Sequence, residues 1–124
     1  MQKLLLIGLA GALGSLSRYA LSGWVQRYTD SLFPWGTLVV NVVGAFAFGF
    51  IWSLVEQRLV VSVETWVVIL SGFLGAFTTF SSFMFETSTL VGDGEWGLAL
   101  ANIGGQILLG LLAMFLGLSA GRLF

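Results

Sequence analysis

The sequence predicts an all-α integral membrane protein whose protomer contains four transmembrane helices. The first observation is composition: hydrophobic residues make up 57% of the 124 residues, and charged residues only 9%. A soluble domain carries roughly a quarter charged residues, because a folded chain in water needs a polar surface. The second observation is patterning, since short polar joints separate four apolar stretches that are each long enough to span a bilayer.

These four stretches cover residues 4–24, 35–55, 65–91 and 96–120, within one predicted transmembrane domain over residues 1–124. The first could instead be a signal peptide, but its apolar run continues to Ala20, which favours a retained helix. Pro34 precedes the second helix, where its missing N–H costs nothing. Tryptophans prefer the headgroup region, and all five lie near predicted helix ends: Trp24, Trp35, Trp52, Trp66 and Trp96.

Composition also excludes several classes of function. The chain has neither cysteine nor histidine, which removes disulfides, thiol chemistry, imidazole metal sites and histidine acid–base catalysis. The five basic residues are scattered, so no cluster suits a nucleic acid. No nucleophile–base pair or carboxylate pair is evident, and we therefore expect no enzymatic activity.

The charge distribution gives little orientation signal. An even number of spans places both termini and the loop at residues 56–64 on one side, with Lys3, Arg58 and Arg122, against Arg27 and Arg18 on the other. The excess of positive charge on one side is therefore very small. The chain either has one weakly determined topology or inserts in both orientations and pairs head to tail. Four short helices enclose too little space for a hydrated pore, and a dimer is the simplest assembly that would provide one.

The third helix contains the least regular segment. Glycine, threonine and serine are poor helix formers, and they crowd the middle of this span. We predict a break near residues 75–79, where freed carbonyls could bind a cation and the next helix would direct N–H groups at an anion. The alternative is a continuous helix whose hydroxyls bond back to the preceding turn.

Several side chains in the spans are candidates for a site. Phe80 and Phe83 share one helix face and can present positive ring edges to a small anion, although packing is the simpler reading of two phenylalanines. The amide of Asn41 either donates hydrogen bonds to an ion in a pore or forms a hydrogen bond between two helices. Asn102 and Gln106 are four residues apart and form a polar stripe that should face protein or water.

Two charged residues lie within or near the spans. Arg18 could attract anions to a pore mouth, and Glu86 could serve a proton-coupled transporter. Each is close to a predicted helix end, where exposure to water is the simpler interpretation.

Three motifs together resemble the CrcB (Fluc) fluoride channel family. They are GAFTTFSSF at residues 75–83 followed by Glu86, GTLVVN at 36–41 and GSLSRY at 14–19. The resemblance covers the whole chain in order. It implies an antiparallel, dual-topology homodimer in the bacterial inner membrane, with two pores that export fluoride passively. It also implies a structural sodium ion, held by the backbone carbonyls of Gly75 and Thr78 from both subunits.

The same resemblance assigns roles to individual residues. The fluoride pathway would be lined by Asn41, Thr79, Phe80, Ser82 and Phe83, with Arg18 in the vestibule. The fourth helix departs from the family pattern, because the candidate polar track carries Asn102, Gln106 and Gly110 where aromatic or hydroxyl residues can occur. The alternatives are a proton-coupled exporter of the small multidrug-resistance type, which would need a carboxylate in the first helix, and a non-transporting assembly subunit.

Overall fold

The computed structural model describes residues 1–58 and 63–124, and their regular secondary structure is entirely helical. The helices are α1 (Gln2–Arg27), α2 (Trp35–Arg58), α3 (Val63–Val67), a π-helical segment (Val68–Leu74), α4 (Gly75–Phe77), α5 (Phe80–Gly92) and α6 (Trp96–Gly121). The loop predicted at residues 56–64 lies partly outside the described residues.

Within the described residues, four segments are long and apolar enough to cross a membrane: Gln2–Arg27, Trp35–Glu56, Glu64–Gly92 and Trp96–Gly121. A 26-residue α-helix is about 39 Å long at 1.5 Å per residue, which exceeds the roughly 30 Å hydrocarbon core. Large apolar side chains on α1 and α6 are mostly exposed, as expected of helices that face lipid.

The third span is a composite of α3, the π-helical segment, α4 and α5. Helical structure stops after Phe77, and the next two residues are extended, with φ/ψ of −77°/157° at Thr78 and −147°/118° at Thr79. The helix resumes at Phe80. The interruption therefore occupies the C-terminal end of the predicted interval, while Gly75 itself is helical. The π-helix before it was not predicted.

Glycines set the closest helix contacts. The most extensive pairing is between α2 and α6, where a Cβ on Gly117 would lie 2.2 Å from the Phe46 carbonyl oxygen. On the other side of the protomer, α1 packs against the π-helical segment, and a Cβ on Gly14 would lie 2.2 Å from the Phe73 carbonyl oxygen. At these points the backbones approach as closely as small residues permit in membrane helices.

Candidate functional site

Asn41 of α2 holds the interrupted backbone of the third span in place. Its Oδ1 accepts a hydrogen bond from the Thr79 N–H at 2.8 Å, and its Nδ2 donates to the Thr79 carbonyl at 3.0 Å. The same Nδ2 donates to Gln106 Oε1 at 3.0 Å. Thr79 is buried, so its extended backbone needs partners that a helix no longer supplies. Asn41 provides both of them.

Two carbonyls at the interruption lose their helical donors as a result. In a continuous α-helix the Thr79 N–H would bond to the Gly75 carbonyl, but here it bonds to Asn41. Likewise the Ser82 N–H would bond to the Thr78 carbonyl, but here it donates to Thr79 Oγ1 at 3.2 Å. Gly75 and Thr78 are thus the positions at which backbone oxygens are released for another partner.

The second half of the span begins with a capped N-terminus. Thr79 is the N-cap residue of α5, and its hydroxyl accepts from the Ser82 N–H and donates to Ser82 Oγ at 3.0 Å. The remaining N–H groups of the first turn have no partner within the helix, and the helix dipole makes this end favourable for an anion.

A groove of about 420 Å³ runs along the interruption. Phe80 and Phe83 both line it, with ring centroids 5.7 Å apart and planes inclined by 71°, in an edge-to-face arrangement. Phe83 is only 6% exposed, whereas Phe80 is 72% exposed at the protomer surface. The other lining residues include Asn41, Gly75, Thr78, Thr79, Gln106 and Gly110.

A second cavity of about 330 Å³ also borders Thr79. Arg18, Ser82 and Glu86 line it, and Thr79 lines both cavities. One carboxyl oxygen of Glu86 accepts a hydrogen bond from Thr37 Oγ1 at 2.6 Å, while the other is buried without a partner among the described residues. The two cavities therefore approach each other at the threonine that caps α5.

The two amide side chains of the predicted polar track, Asn102 and Gln106, lie in different environments in the structure. Gln106 lines the groove, but Asn102 is fully buried and lines neither of the two cavities. Asn102 Nδ2 donates to Thr87 Oγ1 at 2.9 Å, and Thr87 Oγ1 donates to the Phe83 carbonyl at 2.7 Å. Asn102 thus connects α6 to α5.

Thr37 and Thr87 were not among the residues predicted from the sequence. Thr37 donates a hydrogen bond to Glu86, and Thr87 accepts one from Asn102. Thr37 could have been found, because it lies four residues before Asn41 and so shares its helix face. No comparable signal marked Thr87, since its role depends on how α5 packs against α6.

The sequence motifs and this geometry agree with one family. Residues 5–118 match the family described as "CrcB-like protein, Camphor Resistance (CrcB)". The chain belongs to the CrcB-like family. A relative from Nitratidesulfovibrio vulgaris is 54% identical over 123 residues, covering 99% of each chain. A relative from Nitrosococcus oceani is 53% identical over 122 residues, covering 98% of each. Both relatives carry the name fluoride-specific ion channel FluC. With its four apolar spans, this CrcB-like chain is a multi-pass membrane protein.

Proposed function

We propose that the protein is a fluoride-selective channel that lets fluoride leave the cytoplasm passively across the bacterial inner membrane and so reduces its toxicity. The observation that carries this proposal is the interrupted third span, with the N-terminus of α5 and two edge-to-face rings on one groove. The names of the CrcB-like relatives support the choice of ion.

The groove has the chemistry that a small, strongly hydrated anion requires. A selective pore must replace the water of the ion with convergent donors, and larger halides are then excluded by size. Hydroxyls of Thr79 and Ser82, the side chain of Asn41 and the ring edges of Phe80 and Phe83 are the proposed lining of this pathway. Arg18, on the second cavity, would raise the local anion concentration at its mouth.

The proposed assembly is an antiparallel homodimer with two pores. In the protomer the groove lies open and Phe80 is 72% exposed, so a second copy would be needed to enclose the pathway. The near absence of charge bias between the two sides of the chain is what insertion in both orientations requires.

A structural sodium ion between the subunits is part of the same proposal. Gly75 and Thr78 have carbonyls whose helical donors are diverted, and Gly75 is exposed at the protomer surface. Carbonyl oxygens of unwound membrane helices are suitable sodium ligands. Two carbonyls from one protomer make half a coordination shell, so both subunits would contribute. The bound cation would supply a fixed positive charge near the pathway.

A proton-coupled exporter of the small multidrug-resistance type is a weaker candidate. Such a transporter needs a carboxylate in its first helix, but α1 contains no acidic residue. Glu86 belongs to α5, where it is bonded to Thr37.

The test is ion efflux from liposomes that contain the purified protein. Vesicles loaded with fluoride should empty rapidly after a potassium ionophore is added, while chloride-loaded vesicles should retain their anion. A fluoride electrode and a chloride electrode record the two experiments. Absence of fluoride release from vesicles in which insertion of the protein has been verified would refute the proposal.

Variants of the rings locate the pathway. Phe80→Ile and Phe83→Ile should each abolish fluoride efflux without dissociating the dimer, because isoleucine fills space but has no positive ring edge. Phe85→Ile is the matched control, since Phe85 is on the same helix and 71% exposed but does not line the groove. If either ring variant conducts like the wild type, the assignment of the pathway is wrong.

A further inference from the structure

We propose that the C-terminal end of α1 binds an anionic phospholipid, with the lipid phosphate at Arg27 and an acyl chain along the helix towards Leu21. The site is a shallow cavity of about 590 Å³, called the α1 notch below, and it is lined by Tyr19, Ala20, Leu21, Gly23, Trp24 and Arg27. None of these residues lines the groove at the interruption, and the inference does not depend on the proposed channel function.

A glycine creates the α1 notch. Gly23 lies four residues after Tyr19 and four before Arg27, so the three positions form one row on the surface of α1. Tyr19 is 80% exposed and the neighbouring Trp24 is 60% exposed, so large side chains project around a position that has none. A Cβ on Gly23 would meet nothing within 4 Å. The α1 notch is therefore open space between side chains, and the protomer itself does not fill it.

The depth of the α1 notch corresponds to the boundary between headgroups and acyl chains. Arg27 is the last residue of α1, and a helix of 26 residues extends beyond the hydrocarbon core of a bilayer. Trp24 and Tyr28 pack edge to face with ring centroids 5.5 Å apart, and such aromatic side chains are typical of the membrane interface. Tyr19 lies about 12 Å deeper than Arg27, because eight residues separate them.

The charge of the α1 notch favours an anionic lipid. Arg27 is exposed, and no carboxylate pairs with it in the part of the chain that the structure describes. Asp30, the nearest acidic residue along the chain, does not line the notch. The guanidinium of Arg27, the indole of Trp24 and the phenol of Tyr19 can all donate hydrogen bonds, and a guanidinium binds a phosphate through two of them. A choline ammonium would find no carboxylate among the lining side chains.

The apolar part of the α1 notch distinguishes a lipid from a free phosphate. Ala20 and Leu21 continue the cavity towards the middle of the bilayer, where an inorganic ion would have no partner. An acyl chain fits this part, while the phosphate to which it is linked reaches Arg27. A second copy of the chain is the competing occupant, and the experiments below include the result that would identify it.

Native mass spectrometry of the full-length protein tests the lipid preference. In micelles with equal amounts of phosphatidylglycerol and phosphatidylcholine, the protein should retain phosphatidylglycerol about fivefold more tightly, as expected for one basic residue near an anionic lipid. Arg27→Gln should abolish this preference. Arg122→Gln is the matched control, since Arg122 is also exposed at a helix end but does not line the α1 notch. An unchanged preference in Arg27→Gln, or an equal loss in both variants, would overturn the proposal.

A second pair of variants tests the cavity without changing the charge. Gly23→Leu keeps Arg27 but fills the α1 notch, so it should also reduce retention of phosphatidylglycerol. Gly8→Leu should not, because Gly8 is on the same helix with open space around it but lies outside the notch. Displacement of the lipid by inorganic phosphate would identify a free anion as the ligand and contradict the proposal. Dissociation of the dimer by Gly23→Leu, with the lipid preference unchanged, would identify a contact between copies instead.

Tryptophan fluorescence locates the bound lipid in vesicles. Brominated phosphatidylglycerol should quench the protein more than brominated phosphatidylcholine, and Trp24→Phe should remove most of this difference. Trp96→Phe is the control: Trp96 is 62% exposed, and it begins α6 on the side of the membrane where α1 ends. If both variants remove the difference equally, the lipid is not localised at the α1 notch and the proposal is wrong.

Discussion

Replacement of Gly14 by alanine should destabilise the protein far more than replacement of Gly8 or Gly11. These three glycines recur every third residue along α1. A Cβ on Gly14 would lie 2.2 Å from the Phe73 carbonyl oxygen, but ordinary C···O contacts are about 3.3–3.6 Å. Helix α1 and the π-helical segment would therefore have to separate by roughly 1 Å. Such overpacking typically costs about 1–3 kcal/mol.

The two neighbouring glycines provide the controls. At Gly8 an added Cβ meets nothing within 4 Å, and at Gly11 the nearest atom is 3.7 Å away, an ordinary contact. Alanine is also a better helix former than glycine by about 0.8–1.0 kcal/mol, but this gain applies to all three variants and cancels in the comparison. The free energy of unfolding, measured by SDS titration in mixed micelles, should drop for Gly14→Ala alone.

Fluoride efflux from liposomes gives a second readout for the same three variants. The contact of Gly14 lies beside the last turn before the interruption, so its displacement should also reduce efflux. Equal stability and equal efflux across the three alanine variants would show that the close approach at Gly14 does not matter, and the packing account would be wrong.

Two further predictions concern the other side of the protomer and the carboxyl group. Gly117→Ala should destabilise the α2–α6 pairing by about 1–3 kcal/mol, because its Cβ would lie 2.2 Å from the Phe46 carbonyl oxygen, whereas Gly104→Ala has open space and should be neutral; SDS titration compares them. Thr37→Val should destabilise the protein by about 1–3 kcal/mol, because Glu86 then loses its hydrogen bond from Thr37, while Thr37→Ser should retain stability; equal stability of valine and serine variants would contradict this.

The four spans could be predicted from the sequence because a helix that crosses a bilayer needs about 20 mainly apolar residues, and such stretches are recognisable in the sequence. The interruption could also be predicted, since glycine, serine and threonine together weaken a helix. The π-helical segment could not, because its register depends on contacts with α1 that no local pattern records. The glycine row illustrates this limit: the sequence presents Gly8, Gly11 and Gly14 as equivalent, and only the packing distinguishes them.

The role of Asn41 was open for a similar reason. A single amide in an apolar span can line a pore or join two helices, and sequence offers no means of choosing. The structure shows that it joins α2 to the interruption and to α6. Its role as a direct fluoride ligand stays a prediction.

One hydrogen-bonding side chain thus connects the two ion sites that we propose. By accepting from the Thr79 N–H, Asn41 releases the Gly75 carbonyl, which is a proposed sodium ligand. By donating to Gln106 Oε1, the same amide also connects the interruption to α6. The released Gly75 carbonyl and the connection of α2 to α6 are therefore consequences of a single orientation of Asn41. Any substitution at this position should therefore affect sodium binding and fluoride conduction together.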